Sequence, residues 1–190
     1  MNEMEIAITK KEIQTAQNRI KEYESKIKSL KNDNDKIKAN IKILNKNIIL
    51  FKTKGKYEIV KDQVSTTKGP LLTAKSDISD AYLSYSKGFQ GNAANVKLST
   101  LRDANSKIRN IIDRLGDVYD IATEKITKTQ EKINSNNVTM HISTSSEATC
   151  RKKITELEET KSFNIKKIFE YNKKILEKKS YISRLKNKLL

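Results

Sequence analysis

Residues 20–51, "IKEYESKIKSLKNDNDKIKANIKILNKNIILF", decide the fold because their apolar side chains recur at alternating spacings of three and four residues. The inner positions of this pattern, extended towards the N terminus, are Ile6, Thr9, Ile13, Ala16, Ile20, Tyr23, Ile27, Leu30, Asn34, Ile37, Ile41, Leu44, Ile48 and Phe51. Such uninterrupted heptads predict a coiled-coil helix over residues 1–51. Asn34 is a polar residue at an inner position, and we expect it to fix the register of helix pairing at a cost in stability.

The rest of the chain divides into four further segments. Residues 52–69 lose the heptad period and contain glycines, so we interpret them as a linker. Residues 70–134 are predicted to form a helical hairpin, residues 135–149 a polar loop, and residues 150–190 a basic C-terminal helix. The predicted fold is therefore all-α, an elongated antiparallel helical bundle or coiled coil that contains a helical hairpin.

The composition supports this prediction and limits the classes of function. The chain has only 5 Gly and 1 Pro in 190 residues, too few turns for a β-sandwich or an α/β enzyme. Its 39 Lys and Arg against 23 Asp and Glu give a net charge of +16. This charge would suit a nucleic acid, but solvated lysines on outer helical positions explain it equally well, and we favour that interpretation. Since neither a signal peptide nor an apolar run of membrane-spanning length is recognisable, we expect a cytoplasmic protein without a membrane span.

Residues that could carry catalysis or bind a metal are sparse. The one histidine, His141, and the one cysteine, Cys150, lie near each other in sequence, but no third orienting group accompanies them. No phosphate-binding glycine loop and no zinc-type or calcium-type spacing is present in the sequence. We therefore predict a protein that is not an enzyme and that needs neither a cofactor nor a metal.

The sequence "GFQGNAAN", residues 88–95, interrupts the helical pattern of the hairpin. Two glycines at a tight turn between antiparallel helices are sufficient to explain the interruption. The order aromatic–x–Gly–x–Ala–Ala, made by Phe89, Gly91, Ala93 and Ala94, also resembles the WXG family of type VII secretion proteins. The resemblance implies a hairpin whose tip carries an aromatic side chain packed between the two helices, with Phe in place of Trp here.

The coiled-coil arms around this turn resemble small helical proteins that accompany LXG-domain toxins in Gram-positive bacteria, the YwqH-like and related families. The resemblance implies a chaperone-like adaptor that binds the helical N-terminal domain of an LXG-type toxin, with a second small helical partner as a further expectation. Tyr followed four residues later by Asp or Glu, the secretion signal of WXG proteins, does not occur in this chain. Export by type VII secretion would thus require a signal supplied by the partner.

We expect the partner to bind along the heptad seams, since burial of apolar helix faces drives helix-to-helix association. The predicted partner-binding residues are Ile20, Ile27, Leu30, Asn34, Leu101, Ile108, Ile112, Leu115 and Tyr119. Two alternatives remain open from the sequence. The heptads fit a structural coiled-coil protein that only self-associates, and the basic last helix fits nucleic-acid binding less well because interleaved stacking aromatics are missing.

Overall fold

The structure, a computed structural model, describes residues 3–189 and is all-α. Three long helices account for it: α1 over Glu3–Gly88, α2 over Asn92–Met140 and α3 over Glu147–Leu189. The described residues contain no strand, and the helices pack against one another, so the predicted all-α helical bundle is confirmed. The chain forms two compact units, which we call the central unit and the terminal unit.

The central unit, Asn47–Glu147, is a two-helix hairpin. Its α1 segment and α2 run antiparallel, because the contacts between them pair early residues of one with late residues of the other. Lys54 Nζ donates to the side-chain oxygen of Gln130 at 3.0 Å, and Arg102 donates to the Tyr82 hydroxyl at 2.9 Å. The hairpin predicted from residues 70–134 is thus longer at its open end than expected.

The terminal unit, Met1–Lys46 with Ala148–Leu190, pairs the first part of α1 with α3, again antiparallel. The rings of Tyr23 and Tyr171 stack at 5.5 Å between centroids, and the Tyr181 hydroxyl donates to a Glu12 carboxylate oxygen at 3.1 Å. A buried cluster lies between them. Its buried members are Ile20, Ile27 and Ile175, with Tyr23, Ile168, Tyr171 and Ile182 packed against them. The first and last predicted helices therefore pair within one chain.

The linker predicted over residues 52–69 is wrong as secondary structure, because α1 continues through it and contains Pro70. Three lysines at seven-residue spacing, Lys61, Lys68 and Lys75, are half-buried beside the buried Val64. Lysine can place its alkyl stem along an apolar seam while its ammonium reaches water. The seam is therefore continuous, although its residues do not read as an apolar heptad.

The contacts of these lysines explain why the helix persists. The Lys61 ammonium lies 4.7 Å from the centre of the Tyr119 ring. The Lys68 Nζ lies beside Gly116 of α2, 4.0 Å from the place that a Cβ would take there, which is an ordinary van der Waals distance. Packing of this kind outweighs the local helix-breaking tendency of Gly and Pro.

The polar loop predicted over residues 135–149 is shorter in the structure, since only residues 141–146 lie outside a helix. Helix α2 continues to Met140 because Ile133 and Met140 remain buried on its inner face. It ends at His141, whose backbone is left-handed (φ 54) and whose N–H donates to the Val138 carbonyl at 3.1 Å. This is the usual geometry of a helix C-terminal cap, and it gives the lone histidine a structural role.

A polar network joins α1, the end of α2 and the loop inside the central unit. The fully buried Asn47 donates to Asn137 Oδ1 at 3.1 Å and to Thr144 Oγ1 at 3.3 Å. It accepts from Asn136 Nδ2 at 2.6 Å, and Asn137 Nδ2 donates to the Thr144 carbonyl at 3.0 Å. Because both ends of the Asn47 amide are satisfied, the network holds the loop to α1 without an orphaned polar group at that residue.

Candidate helix-binding surfaces

The turn predicted to carry the family-like motif connects α1 to α2. Gly91 has φ 115 and ψ 174, a conformation that is essentially restricted to glycine. Its carbonyl accepts from the Asn95 N–H at 3.1 Å and so begins α2. A glycine is thus required at position 91 by the backbone itself, whatever the motif does.

The aromatic side chain of the turn lies outside the helix pair. Phe89 is 60% exposed and stacks on Tyr85 at 5.0 Å between ring centroids. Lys97 Nζ donates to the Tyr85 hydroxyl at 3.2 Å, and Ala94 is buried whereas Ala93 is exposed. The packing of Phe89 between the helices, which the resemblance implies, is therefore not found. Instead, Tyr85 and Phe89 line a small groove of about 200 Å³, together with Gln90, Ala93, Ala94 and Lys97.

The predicted partner-binding residues on α1 are already covered by α3. Ile20 and Ile27 are buried in the apolar cluster of the terminal unit, and Leu30 is half-buried. Asn164 Nδ2 donates to Asn34 Oδ1 at 3.0 Å, and each of the two residues is 7% exposed. Asn34 thus pairs with its own chain, at a place where it can fix the register of α1 against α3.

The predicted partner-binding residues on α2 also face inwards. Ile112 is buried, whereas Leu101, Ile108, Leu115 and Tyr119 are half-buried. The Tyr119 ring is covered by Lys61 of α1, as described above. These residues hold the hairpin together, so a partner helix would have to contact the surfaces beside them.

Two rows of exposed apolar side chains flank the internal seams. The α2 row, in the central unit, consists of Ile111, Val118 and Ile121. The α3 row, in the terminal unit, consists of Ile165, Phe169 and Leu176, which are 53%, 73% and 65% exposed. Their spacings of three, four and seven residues place the members of each row on one side of its helix. Sequence reasoning missed both rows because they lie outside the principal heptad, although the spacing itself was a readable signal.

The terminal unit also has a groove between the first turns of α1 and the last turns of α3. The groove measures about 570 Å³ and is bordered by the small residues Thr15 and Ala16, with Ile8 and Tyr181 at its sides. The hydrogen bond to Glu12 raises the pKa of the Tyr181 hydroxyl. The groove is open because two of the side chains along it are small, as are the inner residues Thr9 and Ala16 of the first heptads.

The other titration shifts come from ion pairs on exposed helix faces. Hydrogen bonds from Lys26 and then Arg19, at 2.6 and 2.8 Å, lower the pKa of Glu22. The hydrogen bond from Lys167, at 2.9 Å, likewise lowers the pKa of Glu170. Pairs of residues three or four apart are typical of solvated helix surfaces, so these shifts do not mark a site.

The residue types that could bind a metal or act in catalysis are chiefly His, Cys, Asp and Glu. Over residues 3–189, no cluster of three or more His, Cys, Asp or Glu side chains could hold a metal ion. His141 is exposed and Cys150 is buried. Within the same residues, no helix combines the length and the apolarity that a membrane crossing demands.

No model of a known protein family matches the chain, and comparisons with curated proteins and with solved structures likewise gave no match.

Proposed function

We propose that this chain is a non-enzymatic helical adaptor that binds the helical N-terminal domain of an LXG-type toxin and promotes type VII secretion of that toxin. The proposal combines the Phe89–Gly91 turn, which resembles the WXG motif, with the exposed apolar surface of the two helical units. The adaptor would pair with the toxin side by side, helix against helix.

The observation that carries the proposal is the amount of surface left exposed. The chain exposes 13586 Å² at a mass of 21.8 kDa. Two separate compact domains of half that mass would together expose about 11,000 Å². Pairs of helices bury only one stripe each, so the excess includes the α2 row and other large apolar side chains. Exposed apolar side chains that share one side of a helix, as those of the α2 row do, are the kind of surface that a partner helix can cover.

The α2 row and the turn are the surfaces we assign to toxin binding. Ile111 and Val118 lie on one side of the hairpin at seven-residue spacing, and Phe89 is available at its tip. The five predicted seam residues on α2 would support this surface from beneath, because they hold α1 and α2 together, whereas the four on α1 lie in the terminal unit against α3. Their role in binding would thus be indirect.

The test is purification of the tagged, nuclease-treated protein from its native cells, with the captured proteins identified by mass. We expect near-stoichiometric capture of a secreted protein with an LXG-type helical N-terminal domain. The double variant Ile111→Asn/Val118→Asn should lose that protein, whereas Val138→Asn, an exposed apolar residue outside the row, should retain it. Circular dichroism would establish that all three proteins are equally helical.

Three results would contradict the proposal. Capture of further copies of this chain and of no other protein would favour a self-associating coiled-coil protein. Capture of nucleic-acid-associated proteins alone would favour the basic-surface alternative, and binding should then fall steeply with salt. Equal toxin capture by the row variant and the wild type would remove the α2 row from the interface.

A further inference from the structure

The α3 row carries a different kind of surface from the α2 row, because the terminal unit is strongly basic. That unit contains 24 Lys and Arg against 12 Asp and Glu, whereas the central unit contains 15 against 11. Three exposed lysines adjoin the row on α3: Lys166, Lys173 and Lys179. A groove of about 330 Å³ beside Ile165 is bordered by three more lysines, Lys31, Lys38 and Lys161, together with Asn34 and Asp35.

The charges on the two sides of α3 are arranged differently. On one side, Lys153 pairs with Glu156 at 2.7 Å and Lys167 pairs with Glu170 at 2.9 Å. On the side of the α3 row, Lys166 makes no ion pair with any residue that the structure describes, and the same holds for Lys173 and Lys179. Lys166 borders a groove of about 400 Å³ together with Glu158 and Glu159 but forms no close ion pair with either. The row therefore lies beside lysines without close ion pairs, in a unit that has twice as many basic as acidic residues.

We infer that the α3 row is a docking seam for an acidic amphipathic helix of another protein. Ile165, Phe169 and Leu176 are spaced four and seven residues apart, the spacing at which a second helix inserts its own apolar side chains. Acidic residues flanking the seam of that helix would meet the lysines that make no close ion pair, as charged positions do beside coiled-coil seams. This inference does not depend on the toxin-binding proposal, which concerns the central unit.

The charge also decides against two other occupants. A second copy of the terminal unit would bring the same excess of lysines against this face, which like-charge repulsion opposes. An anionic membrane would tolerate the lysines, but an interfacial helix presents a broad apolar face. The α3 row is narrow, with Asn172 between Phe169 and Leu176.

The experiment measures binding of a fluorescent synthetic peptide to the full-length protein by anisotropy. The probe is a peptide of about four heptads with Leu at the inner positions and Glu beside them, long enough to form a helix on binding. A scrambled peptide of the same composition and a version with Lys in place of Glu serve as controls. We expect the acidic amphipathic peptide alone to bind, and added salt to weaken it.

Matched variants locate the site. Phe169→Ser/Leu176→Ser should lower the affinity about a hundredfold, because each of the two removed side chains contributes at least about one tenfold step when buried. Phe163→Ser is the control: Phe163 is also an exposed aromatic residue of α3, but it lies on the other side, where Lys167 covers its ring at 5.6 Å. It should bind the peptide like the wild type.

The inference is overturned if the peptide binds both variants equally, or if it binds neither them nor the wild type. Equal binding of the scrambled or the Lys-containing peptide would reduce the effect to general charge or general apolarity and overturn it as well. Sedimentation that shows a dimer dissociated by Phe169→Ser/Leu176→Ser would assign the row to a second copy. Binding to vesicles of phosphatidylserine and phosphatidylcholine that the same variant abolishes, without peptide binding, would assign it to a membrane.

Discussion

The buried pair of Asn34 and Asn164 allows the sharpest test of how the terminal unit is held together. The pair is joined by one hydrogen bond of 3.0 Å, and each residue is 7% exposed. Changing Asn34→Ala leaves the Asn164 amide without its partner inside the helix pair. An unsatisfied buried donor costs about 1–3 kcal/mol, so the free energy of unfolding should fall by that amount.

Replacing both asparagines by leucine should raise the free energy of unfolding instead of lowering it. In Asn34→Leu/Asn164→Leu no polar group is left unpaired, and each leucine contributes roughly 1.5–3 kcal/mol on burial. We therefore expect the double variant to be more stable than the wild type. The register of α1 against α3 should at the same time become less unique, because the apolar seam no longer penalises a shifted pairing.

Urea unfolding followed by circular dichroism measures the stabilities of the wild type, both single alanine variants and the double leucine variant. The register is read by NMR from contacts between the stacked rings of Tyr23 and Tyr171, which should weaken or multiply in the double variant. Asn32→Ala, at an exposed position on the same helix, is the matched control and should change stability little. The reasoning is refuted if Asn34→Ala destabilises no more than Asn32→Ala, or if the double leucine variant is less stable than the wild type.

Three further predictions concern the turn, the loop network and the surface charges. Gly91→Ala should destabilise the hairpin by about 1–3 kcal/mol in thermal unfolding, because alanine does not adopt the backbone conformation of Gly91. Gly88→Ala is the control: Gly88 is helical and has open space around it, so the change should be neutral or stabilise by up to about 1 kcal/mol. Equal effects of the two changes would contradict the turn geometry. Asn47→Ala removes three hydrogen bonds and should lower the free energy of unfolding by about 3 kcal/mol. Backbone amides around residues 137–145 should then exchange faster, and unchanged exchange there would disprove the network's role. Hydrogen bonds from Lys128 to Glu124 and from Lys167 to Glu170 lower the pKa of these two carboxylates in the folded chain. Their stabilisation is therefore present above the ordinary Glu pKa and is lost as the pH falls through the folded value. The melting temperature should drop below about pH 4.5, and less so in high salt; an acid transition independent of salt would refute this.

How much the sequence predicts depends on which residues form each seam. The first heptads, from Ile20 to Phe51, are almost wholly apolar, and the helix they predict is present. Residues 52–69 form an equally continuous helix, but Lys61 and Lys68 occupy the half-buried positions of its seam, so a count of apolar residues finds no period. Reading lysine as an amphipathic residue would have extended the prediction.

A heptad pattern does not reveal whether the helix that covers a seam belongs to the same chain or to a partner. The apolar pattern around Ile20 and Ile112 requires that another helix cover these residues. The pattern is the same whether that helix belongs to the same chain or to a partner. The structure places both within the chain's own helix pairs. The exposure of Phe89 was equally unpredictable, because a turn motif specifies backbone geometry through Gly91 but not whether the neighbouring ring reaches the seam.

The two proposed binding surfaces should respond differently to salt, and this connects their chemistry to the way a partner would be held. The α2 row belongs to a unit in which acidic and basic residues nearly balance, so its association would rest on apolar burial, which salt leaves intact. The α3 row lies among lysines without ion partners, so part of its affinity would be electrostatic and would weaken as salt screens the charges. A partner at the α2 row should then stay bound at high salt, whereas an acidic helix at the α3 row should dissociate, so capture repeated at two salt concentrations distinguishes the two surfaces.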